Sequence, residues 1–144
     1  MIEQDTIRLL RECDAGAKMG VDGLQDVVDR VNNDSLRDLL TQSKQDHEKI
    51  SQAAQEHLHR FQDQGKPPSA MASAMSWLKT NLELLAVPSD AKIADLMTDG
   101  CNMGIKSLSR YLNQYEAADE VSKDLAHQLI GMEENLVHQI RPYL

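Results

Sequence analysis

Apolar residues recur at helical spacing along most of the chain, and the period-two alternation of half-buried strands is absent. Ile7, Leu10, Ala17, Val21, Leu24, Val28 and Val31 step by three or four, with one gap of seven, and define a first apolar seam. The stretch "NNDS" follows, where Asn33 or Asp34 can cap a new helix. A second seam runs through Leu36, Leu40, Ser43, His47, Ile50, Ala54, Leu58 and Phe61, and "QGKPPS" ends it with Gly65, Pro67 and Pro68. A shorter amphipathic segment, residues 69–86, carries Met71, Met75, Leu78, Leu82 and Leu85. After "VPSD", with Ser89 as cap, a third long seam contains Ala91, Ala94, Cys101, Ile105, Leu108, Leu112 and Tyr115. The last contains Val121, Leu125, Leu129, Met132, Leu136 and Ile140, separated from the third by the weak boundary "EAAD". The pattern predicts an all-α chain with four long helices and one short helix between the second and third.

The chain also repeats itself. "GAKMGVDGL" at 16–24 returns as "GCNMGIKSL" at 100–108, an offset of 84 residues that pairs Gly16 with Gly100, Ala17 with Cys101, Met19 with Met103, and Gly20 with Gly104. With one or two residues inserted, "HEKI" (47–50) stands opposite "EENL" (133–136). One hairpin, residues 5–64, is thus followed by a second, residues 90–142, with the short helix and crossover in 65–89. Glycine inside a helix costs roughly 1 kcal/mol relative to alanine, so a repeated Gly-x-x-Met-Gly needs a compensating reason. Close approach of the first and third long helices through Gly16, Gly20, Gly23 and their counterparts is the expected one; relief of a clash with the short helix is the alternative.

Composition narrows the function more than it defines it. The 144 residues make a single domain, 1–144, with 41% hydrophobic residues and no apolar run of the roughly 20 residues that a membrane span requires. "MIEQDTIRLL" has no basic stretch ahead of an apolar core, so no signal peptide is predicted and the cytoplasm is the expected compartment. A net charge of −8, dispersed Lys and Arg, and 3% aromatics argue against nucleic acid. Two cysteines in such a chain read as reduced thiols.

Two antiparallel hairpins joined by a long crossover describe the ferritin-like four-helix bundle, with its up-down helices. The chain resembles a branch of that superfamily made of small bacterial proteins, through "CDAGAKMG" (13–20), "MTDGCNMG" (97–104), Trp77 in "SWLK", and "SRYL" (109–112). Metal-binding members of the superfamily use a Glu from each of two helices and a Glu-x-x-His from each of the other two. The resemblance places an acidic residue directly after each motif glycine; this chain has Ala17 and Cys101 there. "QDHEKI" has no acid three residues before His47, and in "MEENLVH" Glu134 and His138 are four apart, with His138 about 240° round the helix from Met132. The expectation is therefore a bundle without the dinuclear metal centre.

Among other candidates, His47 on an apolar seam is the leading polar residue, and a bonded core histidine is its simplest role. Cys13, Cys101 and His47 could meet at the midplane and suit a soft ion such as zinc, short of a fourth ligand. His57 and His59, two apart, point to different sides of a helix. Met71, Met75 and Trp77 could line a flexible groove or form a lid; Met19 and Met103 lie off the seams and read as an interface patch. No nucleophile triad, P-loop or dinucleotide fingerprint occurs. The sequence assigns no catalytic, cofactor-binding or metal-binding residue. It points to a non-enzymatic interaction or structural protein, with a homodimer as the assembly considered. A metal- or redox-linked protein built on the Cys/His cluster and a hydrophobic-ligand carrier are the alternatives.

Overall fold

A computed structural model describes residues 2–63, 81 and 89–144. Four long helices make up almost all of this: α1 (Ile2–Val28), α2 (Asp34–His59), α3 (Asp90–Gln114) and α4 (Glu120–Ile140), followed by a 3₁₀ turn at Arg141–Tyr143. Among the described residues no strand occurs, and no helix is long and apolar enough to cross a membrane. The short helix expected within 69–86, with Met71, Met75 and Trp77, lies outside the described residues, as does Gly65.

Side-chain caps fix three helix starts. Asn33 accepts the Leu36 N–H at 3.0 Å, Ser89 the Lys92 N–H at 3.2 Å, and Asp119 the Ser122 N–H at 2.8 Å, each satisfying a donor that the first turn leaves unpaired. The boundary that looked weak in sequence, "EAAD", is real because tertiary bonds hold it: Ala117 N–H donates to the Asp5 carboxylate and Asp119 N–H to Thr6 Oγ1. α2 ends at His59, and Gln62 takes the left-handed conformation (φ 56°) as the chain turns away.

Contacts at the two ends give the helix directions. Asp90, at the start of α3, accepts the Asn32 and Asn33 backbone N–H groups at 2.8 and 2.9 Å, beside the start of α2. His57 near the end of α2 meets Asp119 at the start of α4 at 2.9 Å. So α2 and α3 run the same way, and α1 and α4 run together against them.

The core divides along the bundle axis into two apolar halves. One gathers Leu9, Leu10 and Cys13 with Ile50, Leu58 and Leu129; the other gathers Leu24, Leu36 and Leu40 with Met97, Cys101 and Leu136. The α2 seam is buried as its sequence predicts, including Ser43 and His47, with Phe61 half-buried. The α4 seam is rotated: Val121 is 51% exposed while Ser122 is buried, and Glu133 is buried where Met132 was expected and is half-buried. In α3, Ala91 is exposed and Ile93 buried in its place. α1 is the most enclosed helix, with six consecutive residues, 12–17, buried.

Candidate functional site

Between the two apolar halves sit two buried polar side chains from different hairpins, His47 of α2 and Glu133 of α4, 2% and 6% exposed. Their places are those that the repeat sets opposite each other. Each is accommodated by the equivalent glycine of its own hairpin. A methyl group at Gly20 would come within 2.9 Å of His47 Nε2 and 3.1 Å of Cγ; one at Gly104 would come within 2.5 Å of Glu133 Oε2. The glycines therefore clear space for a polar side chain arriving from the partner helix. At Gly20 and Gly104 the neighbour is thus this side chain and not the backbone of the other helix. At Gly100 a methyl would meet nothing within 4 Å.

The imidazole is oriented from both sides. Nδ1 lies 2.7 Å from the Ser43 carbonyl oxygen, which can only accept, so Nδ1 carries a hydrogen and donates it. Nε2 faces Glu133 Oε1 at 3.4 Å, and one proton must lie between them, on the ring or on the carboxyl. Either way the pair is neutral overall. Burial acts to lower the His47 pKa, but the hydrogen bond and charge of Glu133 and the Ser43 carbonyl outweigh it and leave it raised. Burial raises the Glu133 carboxyl, with His47 pulling it part of the way back. The second carboxyl oxygen, Oε2, is buried with no hydrogen-bond partner.

Glu133 also lines a cavity of about 50 Å³ set among all four helices. Met19, Gly20, Gly23 and Leu24 line it from α1, His47 from α2, Met97, Gly100, Cys101 and Met103 from α3, and Glu133 and Leu136 from α4. Met19 and Met103, which hold the same place in the two similar nonamers, both line it. Met19, expected at an interface, is instead buried with Ala15 against Tyr111, and Met103 is half-buried.

The structure brings Cys101 and His47 to this cavity and puts Cys13 in the opposite half of the core. Both thiols are reduced and buried. Burial, reinforced by Glu12 and Asp14, pushes the Cys13 thiol up to about 12, and burial with Glu133 holds Cys101 well above the ordinary thiol range. Neither is a nucleophile at neutral pH. His57 bonds Asp119 and meets Phe61 edge-on, while His59, Glu134 and His138 are exposed.

Two acids that the sequence did not flag are also buried. Asp14 is satisfied by Ser51 Oγ at 2.8 Å, Gln55 Nε2 at 3.2 Å and Lys18 Nζ at 2.9 Å. Glu12 has only the Tyr111 hydroxyl, its Oε2 is unpartnered, and burial raises its carboxyl to about 7.

A dinuclear iron centre of the kind the ferritin-like resemblance brings to mind does not fit these residues. The cavity offers one carboxylate and one imidazole, with Ala17 and Cys101 where bridging acids would stand. Among the described residues no three His, Cys, Asp or Glu side chains form a metal-holding group. Such a centre needs several carboxylates to balance its charge.

Fold and site together define a four-helix bundle with a small cavity lined by all four helices. No protein-family model matches the chain, and it matches no curated protein and no solved structure.

Proposed function

We propose that the chain is a non-enzymatic, ferritin-like helical bundle that holds one ion-sized ligand in its axial cavity, in place of oxidase chemistry. The observation that carries this reading is Glu133, a residue of the cavity's lining whose Oε2 is buried without a partner. A buried acceptor left without a donor costs roughly 1–3 kcal/mol, a loss that packing alone does not explain and a bound ligand does. Parallel directions of α2 and α3, which require a long crossover, support the ferritin-like build.

Size separates the candidates for occupant. An engineered cavity of about 150 Å³ is needed to admit benzene, and one water takes about 30 Å³ of liquid. At about 50 Å³ the space is about a third of the benzene cavity, so an acyl chain or an aromatic ring would have to extend beyond it. A water needs two to four polar partners and would find two here. The high thiol pKa values of Cys13 and Cys101 argue against thiol catalysis.

Native mass spectrometry with elemental analysis of untagged protein tests the reading. One stoichiometric ion-sized adduct per chain is expected, and Glu133→Leu should release it. Protein carrying only its sequence mass and no bound element would sink the proposal in favour of a structural or interaction role, as a monomer or homodimer.

A further inference from the structure

The two hairpins meet through a buried acid at two separate places. In one, the Glu133 carboxyl of α4 faces His47 of α2; in the other, the Glu12 carboxyl of α1 takes the hydroxyl of Tyr111 on α3. Each carboxyl is more than nine-tenths buried, and each has an Oε2 without a hydrogen-bond partner. An ionised carboxylate out of water needs several donors spread over both oxygens, and the single partner at each place does not supply them. A proton cancels the charge and leaves only a neutral acceptor unsatisfied, which costs far less. The surroundings favour keeping that proton. Around His47 and Glu133, α1 contributes the uncharged Met19, Gly20, Gly23 and Leu24, α3 the buried thiol of Cys101, and α2 the acid Asp46, which draws a proton toward His47. Around Glu12, α3 contributes Tyr111 with Tyr115 stacked on it and Arg110 beside it. On α1 itself, Asp14 is engaged by Lys18, Ser51 and Gln55, and Arg11 by Asp63.

We propose that the interface between the hairpins is a proton-held latch: closed, it keeps one proton on Glu12 and one shared by His47 and Glu133, and the α1–α2 and α3–α4 hairpins part more readily as rising pH removes them. This goes beyond the preceding reading and needs no ligand in the cavity. Only O–H or N–H bonds break, each proton leaves to water, and no electron moves. The direction follows from the parted state. There the carboxyls meet water and ionise near pH 4.5, and the imidazole near 6.5. In the closed state Glu12 holds its proton to about pH 7, and the shared proton stays on above the ordinary histidine value. The closed form therefore binds more protons. Its stability falls with pH from 4.5 to about 7 through Glu12, and from 6.5 upward through the pair. His57 and Asp119 also join the hairpins, but Asp119 is held below its ordinary 3.8 and is ionised in both states over most of this range.

Cys13 and Cys101 are buried in opposite halves of the core, so thiol labelling reads the opening. The full chain is labelled from about pH 5 to about pH 9, at reagent levels where reclosing outruns labelling, and each rate is divided by that of the urea-unfolded chain at the same pH. The ratio should rise about tenfold per pH unit below pH 7 and go on rising above it. Glu12→Gln should remove the rise below pH 7, and His47→Leu with Glu133→Leu the rise above it, whereas loss of packing alone would shift the ratio equally at every pH. Far-ultraviolet circular dichroism checks that each variant is folded. A ratio that does not rise with pH overturns the proposal, as does a slope that both variants leave unchanged. An opening constant equal to that of global unfolding in urea also overturns it, because the hairpins then do not part as a step of their own.

Discussion

Replacing Glu12 with Gln should change how stability depends on pH, and the structure sets the size of the change. Glu12 is 7% exposed, its Oε2 has no partner, and burial raises its carboxyl from 4.5 to about 7 against the hydrogen bond from Tyr111. The unfolded chain releases this proton near pH 4.5, while the folded chain keeps it to about pH 7. Between these values the folded state binds more protons, so stability falls as pH rises through the window and is level above it. At 1.36 kcal/mol per pKa unit, ionising Glu12 in place costs about 3 kcal/mol. Glutamine can still accept from Tyr111 but leaves its amide hydrogens unpaired, a cost of about 1 kcal/mol at every pH. Glu12→Gln should therefore be less stable than wild type by about 1 kcal/mol at pH 4.5 and more stable by about 2 kcal/mol at pH 8. Urea unfolding followed by circular dichroism across this range measures both proteins. Their difference cancels the titration of His47, Glu133 and the surface. A difference that stays flat with pH refutes the assignment of a buried, under-solvated carboxyl to position 12.

The glycines should separate by what faces them. Gly20→Ala must displace the rigid His47 ring and should be the most destabilising, Gly104→Ala less so because the Glu133 carboxyl can swing, and Gly100→Ala neutral or stabilising by up to about 1 kcal/mol in thermal unfolding. His47→Leu leaves Glu133 buried beside an apolar group and should cost about 3–5 kcal/mol, whereas His47→Leu with Glu133→Leu should recover most of it in a double-mutant cycle. Asp90→Ala removes two backbone bonds that join the starts of α2 and α3 and should cost about 1 kcal/mol by urea unfolding. Both thiols should ignore a disulfide reagent in native protein at pH 8 and react once it is unfolded; fast native labelling of either would contradict their burial.

How much of this was legible depended on whether the partner was local. The α2 seam, with Ser43 and His47 among its apolar members, follows from spacing alone, because a buried stripe must repeat every three or four residues whatever it carries. The caps at Asn33 and Ser89 were legible for the same reason. Glu133 was not. The step from Leu129 to Leu136 can land on 132 or 133, and hydrophobicity chose Met132. The burial of Glu133 is made acceptable by His47, 86 residues away. The sequence did hold one usable signal, since the repeat already set "HEKI" against "EENL". Glu12 and Asp14 escaped because α1 is buried on every side through residues 12–17, so no outward face was left for them. Ser51 and Gln55 satisfy Asp14 from another helix, a pairing with no periodic trace. Gly20 and Gly104 were recognised as constrained but given the wrong neighbour, because spacing shows that a methyl is excluded and not which atom excludes it.

The pairing of His47 with Glu133 accounts for a polar site that needs no divalent metal. The similar nonamers in the sequence would set these two residues at equivalent places, where like would meet like. Two carboxylates at the positions of His47 and Glu133 would repel in a buried place unless a cation or extra proton lay between them. Two imidazoles would share no charge and leave one nitrogen without a donor. One of each solves the problem, because a single proton serves both and the pair is neutral. The residues after the motif glycines have diverged in the same direction, to Ala17 and Cys101, and neither adds a negative charge at neutral pH. A cavity whose walls sum to zero charge has no use for a doubly charged hard ion.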